Sequence, residues 1–310
     1  MQASIIVCTY NRADSLKKTL DALAGLEVPA QFSWEIVVVD NNSSDSTRAV
    51  IESYMLKMDN LRYVFQKEQG LSHARNKGIE QSSGDIVLFT DDDVCPESNW
   101  LHQSVLNMEE HHCDACGGYI APAWEQPPPS WLTERFYGFL AIKTDAGPCQ
   151  VELGGSLPFG ANMVFRREVF EKAGLFDTSR GRKGAVLASG EDGEMFERIL
   201  AAGRKVVYFD NARVHHHIEV FRTRKQYFRR WRYQTSLNLA QSRGLKGERR
   251  ILGIPLYLFP QLVRAVGRWV MAKLAKPADE AFNREIIIFH FLGTIRGLYL
   301  SRDVGEGCSL

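Results

Sequence analysis

The sequence contains 310 residues, of which 45% are hydrophobic and 24% charged, the composition of a globular protein with an apolar core. The formal net charge of +1 excludes a strongly basic protein and argues against a nucleic-acid partner. Six scattered cysteines in a chain of this length indicate reduced thiols and a cytoplasmic location. Cys113 and Cys116 lack a second ligand pair, so we interpret them as thiols at the start of a buried strand and not as a zinc site.

The first 90 residues alternate apolar runs with helical patterns. Residues 3–8, 35–39 and 85–89 are mainly apolar and rich in β-branched side chains, which is typical of strands buried on both faces of a parallel sheet. Three helical patterns lie between or after these runs, and their predicted N-caps are Asp14, Asp45 and Ser72. The alternation predicts βαβ units and an α/β fold with a mostly parallel central sheet.

The pattern is less regular after residue 120. The proline-rich residues 121–134 predict a loop, and strand-like segments follow at 158–166 and 205–209. A helix is predicted to begin near Glu191, and the sequence is helical in character from about residue 223 onward. We therefore predict a main α/β region over residues 1–220 and a C-terminal helical region over 221–310.

Three acidic clusters follow or flank the predicted strands. Asp40 comes directly after the second strand, residues 91–93 form an Asp triplet after the third, and Glu191 and Asp192 begin a helix. In open parallel sheets ligands bind at the carboxyl ends of the strands. No Lys or Arg lies near the triplet in the sequence to offset its mutual repulsion. The triplet therefore predicts a divalent cation that bridges diphosphate oxygens, with a solvated acidic loop as the alternative.

These clusters belong to a series of motifs that resembles the family 2 glycosyltransferases, which have the GT-A fold. Each motif is modest alone, but six in the family's order make a strong signal across roughly residues 3–220. The motifs are Asp40-Asn41-x-Ser43-x-Asp45-x-Thr47, Gly70-Leu71-Ser72-x-Ala74-Arg75-Asn76-x-Gly78, Asp91-Asp92-Asp93, Gly160-Ala161-Asn162-Met163-Val164-Phe165-Arg166-Arg167, Gly174-x-Phe176-Asp177 and Glu191-Asp192.

The resemblance implies a GT-A, or nucleotide-diphospho-sugar transferase, fold in which residues 1–220 bind the nucleotide sugar and carry out catalysis. It also implies roles for single residues. Contacts to the nucleotide-sugar donor are expected from Thr9, Tyr10, Asp40, Arg75, Asp92 and Asn162. Ligands of Mn²⁺ or Mg²⁺ are expected to be Asp91, Asp93 and, within the run 215–217, His216. Asp192 matches the catalytic base of an inverting displacement, with Glu191 as the neighbouring alternative.

The function predicted by this resemblance is transfer of a sugar, UDP being the expected nucleotide, to a glycan or lipid-linked acceptor in polysaccharide or glycoconjugate synthesis. A sugar nucleotidyltransferase is one alternative, although the first loop, residues 9–12, lacks the glycine that such enzymes carry there. A non-catalytic nucleotide-sugar-binding scaffold is another, and it would not need the base Asp192. The oligomeric state is left open by the sequence.

The C-terminal region also predicts contact with an anionic membrane surface. Residues 222–232 combine cations with aromatic side chains, and the apolar segments 251–263 and 286–295 are edged by cations. Both segments are shorter than the roughly 20 residues that a spanning helix needs, and the N-terminus has no signal-peptide pattern. We therefore expect a cytoplasmic protein, peripheral on the cytoplasmic face of the membrane if it docks. Helices that cover the sheet or form a dimer interface are the alternative.

Overall fold

The computed structural model describes residues 2–182, 190–243 and 249–301, which form two compact units. The first unit comprises the described residues up to 123, together with 141–182 and 190–218, and the second comprises 124–140 and the described residues from 219 onward. The division into a nucleotide-sugar-binding and catalytic domain over residues 1–220 and a helical region over 221–310 stays a prediction.

The first unit is built on a nine-stranded mixed sheet flanked by helices. Its parallel half has the strand order β3-β2-β1-β4. These strands are β1 (Gln2–Thr9), β2 (Ser33–Asp40), β3 (Leu61–Phe65) and β4 (Ile86–Asp91). The connecting helices are α1 (Ala13–Ala24), α2 (Thr47–Met55) and α3 (Leu71–Gln81). The predicted βαβ units are therefore present.

The other half of the sheet continues from β4 in the order β8-β6-β9-β5, with β7 beside β9, and its resolved pairings are antiparallel. The strands are β5 (Val94–Pro96), β6 (Ala115–Trp124), β7 (Cys149–Gln150), β8 (Met163–Arg166) and β9 (Val206–Ile218). The helices are α4 (Trp100–Glu110), α5 (Glu168–Ala173) and α6 (Glu191–Ala201). Cys113 and Cys116 are buried at the start of β6, as predicted.

Alternation along the parallel strands creates two apolar layers. In β1, Ile5 and Val7 belong to the layer that contains Leu16 and Leu20 of α1, whereas Ile6 belongs to the opposite layer, with Ala74 of α3. Because both faces of the sheet are covered, the central residues of β1, β2 and β4 are shielded from water. This is why their sequences are continuous apolar runs and not alternating patterns.

The strand order creates a crevice at the carboxyl edge of the sheet. β1 lies between β2 and β4, so the chain leaves β1 toward one side and later returns on the other. In the register of the sheet, Thr9 lies opposite Asp40 of β2, and Cys8 lies opposite Asp91 of β4. The loops after β1 and β4 therefore begin at neighbouring points of this edge, which is where ligand sites form in α/β proteins.

The three predicted helix N-caps differ from the structure. α1 follows Arg12, and Asp14 lies inside its first turn. α2 begins at Thr47, although Asp45 accepts its N–H at 3.0 Å. Ser72 lies within the first turn of α3 and donates its hydroxyl to the Arg180 carbonyl, 3.1 Å away. Polar side chains near a helix start have several local partners, so the cap position does not follow from residue type alone.

The second unit consists mainly of helices α7 (Lys225–Arg243), α8 (Leu258–Ala275) and α9 (Ala278–Ser301), with a short hairpin of β10 (Arg250–Ile251) and β11 (Ile254–Pro255). α7 and α9 pack closely because Gly293 and Gly297 face the α7 backbone. A Cβ on Gly293 would lie 2.2 Å from the Tyr233 carbonyl oxygen. Among the described residues, no helix has both the length and the apolar character that crossing a membrane requires.

The basic stretch 222–232 does not form one exposed surface. Arg222, Tyr227 and Phe228 are buried, and Arg229 forms an ion pair with Glu285 at 2.6 Å. Most of the stretch lies in the first turns of α7, where aromatic side chains enter the core of the second unit. Membrane contact by this stretch stays a prediction, and only its exposed residues could make it.

Candidate active site

The Asp triplet lies where the loops after β1 and β4 meet. Asp91 ends β4, and Asp92 and Asp93 are buried in the turn that leads to β5. The Thr9 hydroxyl at the end of β1 donates to Asp92 Oδ2 at 2.8 Å. The two predicted donor-binding residues are thus joined directly, because β1 and β4 are neighbours in the sheet.

Two arginines, neither of them adjacent to the triplet in the sequence, lie beside it in the structure. Arg12 Nη1 lies 3.0 Å from Asp93 Oδ2, and its Nε lies 3.6 Å from Asp92 Oδ1. Arg75 Nη2 lies 3.9 Å from Asp91 Oδ1. Arg12 is distant from the triplet in sequence but follows the neighbouring strand. Its position depends on β1 and β4 being neighbours in the sheet, and no residue pattern in the sequence specifies that strand order.

Arg75 connects the triplet to the start of α6. Its Nη1 lies 3.1 Å from Glu191 Oε1, and both side chains are buried. Burial raises the pKa of Glu191 to about 7, and the adjacent Asp192 charge adds to the rise while Arg75 opposes it. The predicted nucleotide contact Arg75 and the predicted alternative base Glu191 therefore form one buried pair.

Asp192 is half-buried in the first turn of α6. Its Oδ2 accepts the backbone N–H of Gly160 at 2.6 Å, so the carboxylate has a fixed orientation. A Cβ on Gly160 would lie 2.2 Å from Arg75 Nη2 and 3.0 Å from Asp192 Oδ2. Glycine at residue 160 thus allows Arg75 and Asp192 to approach the same point of the backbone.

The histidine run 215–217 lies in β9, which extends well beyond the predicted 205–209. Successive side chains of a strand point to opposite faces. His215 is accordingly exposed, with its Nε2 3.1 Å from Glu97 Oε1, whereas His216 is buried, with its Nε2 3.3 Å from Asp93 Oδ1. Of these two neighbours, His216 is the one that faces the triplet.

The surroundings of the triplet fit a divalent cation. Burial raises the pKa of Asp92 to about 7, with the Asp93 charge adding to the rise and Arg12 opposing it; burial also raises the pKa of Asp91. A cation bound here would lower this cost, and carboxylate and imidazole groups are suitable ligands for Mn²⁺. Within the described residues, no group of three or more His, Cys, Asp or Glu side chains is arranged to hold a metal ion. Oxygens of a bound donor would have to complete the coordination.

The predicted nucleotide side of the crevice is formed by the end of β2. Asp40 is buried, and it accepts the Ser43 N–H at 2.9 Å and the Tyr63 hydroxyl at 3.1 Å. Tyr10 is partly exposed on the loop after β1. Sequence reasoning gave Asn41 no role of its own, yet its side chain accepts the Gly70 N–H at 2.8 Å and so ties β2 to the start of α3.

Asn162 has a different environment from the other predicted donor contacts. Its side chain is fully buried. Its Oδ1 accepts the Trp100 indole N–H at 2.9 Å, and its Nδ2 donates to the carbonyls of Tyr119 and Ala212 at 3.1 and 2.9 Å. These three contacts join α4, β6 and β9, and none of them involves another predicted site residue. A donor contact by Asn162 stays a prediction.

Comparison with known proteins identifies the family. The model of glycosyl transferase family 2 matches residues 4–174, more than half of the chain. The chain belongs to glycosyltransferase family 2. It is 30% identical over 230 residues to the glucosyl-dolichyl phosphate glucuronosyltransferase of Haloferax volcanii, covering 72% of this chain and 71% of that one. The succinoglycan biosynthesis protein ExoM of Rhizobium meliloti is 28% identical over 218 residues, covering 69% of this chain and 66% of that one.

Solved structures with the same architecture support the fold of this family member. The mannosyltransferase PcManGT from Pyrobaculum calidifontis, in complex with GDP-Man and Mn²⁺, superimposes with a TM-score of 0.58 at 20% identity, covering 98% of this chain and 86% of that chain. S. aureus TarS 1–349 in complex with UDP-GlcNAc gives 0.54 at 20% identity, covering 79% and 68%. The predicted α/β GT-A fold with a helical C-terminal part is confirmed.

Proposed function

We propose that this glycosyltransferase moves a sugar from a UDP-linked donor to a hydroxyl of a glycan or lipid-linked acceptor, with inversion and with help from Mn²⁺ or Mg²⁺. The supporting observation is the convergence of Thr9, Arg75, the triplet 91–93, Asp192 and His216 at one edge of the sheet. These side chains come from five segments that are far apart in the sequence.

The donor diphosphate would lie beside the triplet. Asp93 and His216, 3.3 Å apart, would hold the divalent cation, with Asp91 as a further ligand. When bound, such a cation stabilises the negative charge of the departing nucleoside diphosphate. Arg12 and Arg75 would supply positive charge from either side. PcManGT, which was solved with GDP-Man and Mn²⁺, supports a role for a metal ion.

The nucleoside would lie along the ends of β1 and β2. Thr9, Tyr10 and Asp40 would contact the base and ribose, and Asp92 would approach the ribose or the donor sugar. A UDP donor is supported by TarS with UDP-GlcNAc, while PcManGT with GDP-Man is the reason to test other bases.

Asp192 would act as the general base. Oδ2 is oriented by the Gly160 N–H, so we assign Oδ1 to the proton of the acceptor hydroxyl. Glu191 is less suited to this task because it is buried against Arg75. Its role would be to hold Arg75, and with it the geometry of the site. A base on the side opposite the leaving group gives a single displacement with inversion.

The acceptor class rests on the relatives. One is named as a glucosyl-dolichyl phosphate glucuronosyltransferase and another as a succinoglycan biosynthesis protein. We therefore propose a role in polysaccharide or glycoconjugate synthesis, with a growing glycan on a lipid carrier as the acceptor.

A panel of nucleotide sugars tests this function. Each donor is incubated with the protein in Mn²⁺ and in EDTA, and nucleoside diphosphate release is measured. We expect release from one donor class in Mn²⁺, its loss in EDTA, and its recovery when the metal is restored. Full activity in EDTA would contradict the metal role. Pyrophosphate formation from a nucleoside triphosphate and a sugar phosphate would instead indicate a nucleotidyltransferase, and donor binding without product would indicate a scaffold.

A further inference from the structure

Helix α8 carries an apolar face that points away from its buried side. Leu258, Ala265 and Ala272, spaced seven residues apart, form the buried side. An α-helix turns by about 100° per residue. On this projection the exposed apolar residues of α8 lie opposite its buried side, within an arc of roughly 140° around the helix axis that contains no charged residue. These residues are Phe259, Val263, Val266, Val270, Met271 and Leu274. Val263, Met271 and Leu274 are 70%, 66% and 81% exposed, more than scattered surface residues of a soluble protein would require.

The charge around this face has one sign. Residues 249–278 contain six cations and no Asp or Glu: Arg249, Arg250, Arg264, Arg268, Lys273 and Lys276. On the helical projection, Arg264 and Arg268 border one side of the apolar arc and Lys273 borders the other. An apolar stripe with cations along both edges is the pattern of a helix that lies in the interface of an anionic bilayer.

The hairpin just before α8 adds a second, independent observation. Ile251 and Leu252 at its tip are 56% and 61% exposed. The two turn residues, Leu252 and Gly253, have φ angles of 50° and 78°. Two-residue hairpin turns with positive φ at both residues favour asparagine or aspartate at the first of them, which here is Leu252. A branched apolar side chain is unfavourable both for this backbone and for contact with water. An apolar environment outside the protein would account for it.

We propose that the outward face of α8 and the tip of the β10–β11 hairpin insert into the surface of an anionic membrane. Docking itself does not depend on sugar transfer, but its purpose rests on the proposed lipid-linked acceptor. The enzyme would then share a surface with that acceptor, which raises the encounter frequency of the two. This places membrane contact on α8, and not on the stretch 222–232 or on 286–295, where Ile286, Gly293 and Thr294 are buried.

Flotation of the full-length protein with lipid vesicles tests the proposal. We expect binding to phosphatidylcholine vesicles that contain phosphatidylglycerol, weaker binding in high salt, and little binding to pure phosphatidylcholine. The charge variant R264Q/R268Q/K273Q should bind on the order of a hundredfold more weakly, because each cation near an anionic surface contributes about a factor of five. The matched control K17Q/R48Q/K57Q removes three exposed cations from the first unit and should bind like the wild type.

Two further variants separate insertion from folding. V263Q/V270Q/L274Q should lose vesicle binding while keeping its melting temperature. L252N should weaken binding and also raise the melting temperature, since asparagine suits the backbone of this turn. Donor-dependent thermal shift without lipid should be unchanged in every variant, so failure of docking is distinguishable from failure of the proposed transferase function. Absence of wild-type vesicle binding at all salt concentrations would overturn the proposal. It would also be overturned if the wild-type protein were a dimer and the V263Q/V270Q/L274Q variant a monomer, because the apolar face would then be a dimer interface.

Discussion

The two carboxylates at the start of α6 are adjacent in sequence but differ in environment. Glu191 is buried against Arg75, whereas Asp192 is half-buried and held by the Gly160 N–H. A general base must reach the acceptor hydroxyl and also accept its proton. Burial and orientation therefore divide the proposed work between them: Glu191 fixes the arginine, and Asp192 takes the proton.

The proposed base is tested by Asp192→Asn. This change keeps the size of the side chain and a hydrogen-bond acceptor for the Gly160 N–H, but the amide cannot take a proton. We expect kcat to fall by roughly 10²–10⁴-fold, with donor affinity nearly unchanged. Steady-state kinetics and donor titration measure the two quantities. Glu197→Gln, an exposed change on the same helix, is the control. Unaltered turnover in Asp192→Asn would assign the base to another group, with Glu191 the first to examine.

The proposed metal ligand His216 has a matched control in its neighbour His215. His216 faces Asp93, whereas His215 lies on the other face of β9 beside Glu97. We expect His216→Asn to weaken Mn²⁺-dependent UDP binding by at least roughly tenfold. Loss of a group that only hydrogen-bonds to a metal ligand weakens metal binding by about that factor, and loss of the ligand itself should weaken it at least as much. His215→Asn should leave it unchanged. Titration of UDP in Mn²⁺ and in EDTA measures both; equal effects of the two substitutions would argue against the ligand role.

At the scale of elements, the sequence predicts three of the four strands in the parallel half of the sheet and misses β3, and it predicts the antiparallel half poorly. β1, β2 and β4 are uninterrupted apolar runs, so their burial dictates their sequence. The histidine-containing end of β9 is not predicted. Its residues alternate between the interior and solvent, and histidine does not favour a strand. The position of Arg12 beside the triplet depends on which strands are neighbours, which residue patterns alone do not specify. The resemblance names Asp93 and His216, but only the strand geometry brings them together.

Packing of α3 on the sheet is tested by Gly78→Ala. A Cβ at residue 78 would lie 2.4 Å from Ile6 Cγ2 and 3.3 Å from Val39 Cγ2, so α3 would have to move away from the sheet. We expect the free energy of unfolding to fall by about 1–3 kcal/mol. Gly267→Ala in α8 is the same substitution where no atom lies within 4 Å, and it should raise the free energy by up to about 1 kcal/mol through helix propensity. Urea denaturation measures both, and effects of the same sign would contradict this account.

At the scale of the whole molecule, we expect the candidate active site to reduce the free energy of unfolding at neutral pH when no ligand is bound. Burial raises the pKa of both Asp92 and Glu191 to about 7. At low pH each group is neutral in the folded and unfolded states alike. As the pH rises, the group ionises first in the unfolded chain, so the folded state loses stability progressively until the pH exceeds about 7. Ligand binding at the site would offset this loss, as binding to any folded state does.

Glu191→Gln tests how much Glu191 contributes to the pH dependence of the free energy of unfolding. The carboxyl groups of Glu35, Asp45 and Asp177 have lowered pKa values, so their stabilising contributions are already complete above about pH 5. The lowered pKa of His290, caused by burial, acts in the opposite direction but is the same in both proteins. The stability of Glu191→Gln relative to the wild type should therefore increase by roughly 1–3 kcal/mol between pH 5 and pH 8.

Urea unfolding in EDTA at several pH values measures this difference, with Glu197→Gln as the exposed control. Because glutamine stays neutral throughout, the unfolding free energy of Glu191→Gln lacks the part of the pH dependence that Glu191 contributes to the wild type. A constant difference between the two proteins across this range would mean that Glu191 is already ionised at pH 5 in the folded state. Arg75, 3.1 Å away, would then outweigh the cost of burying the carboxylate, and the site would have no stability penalty from this residue for a ligand to relieve.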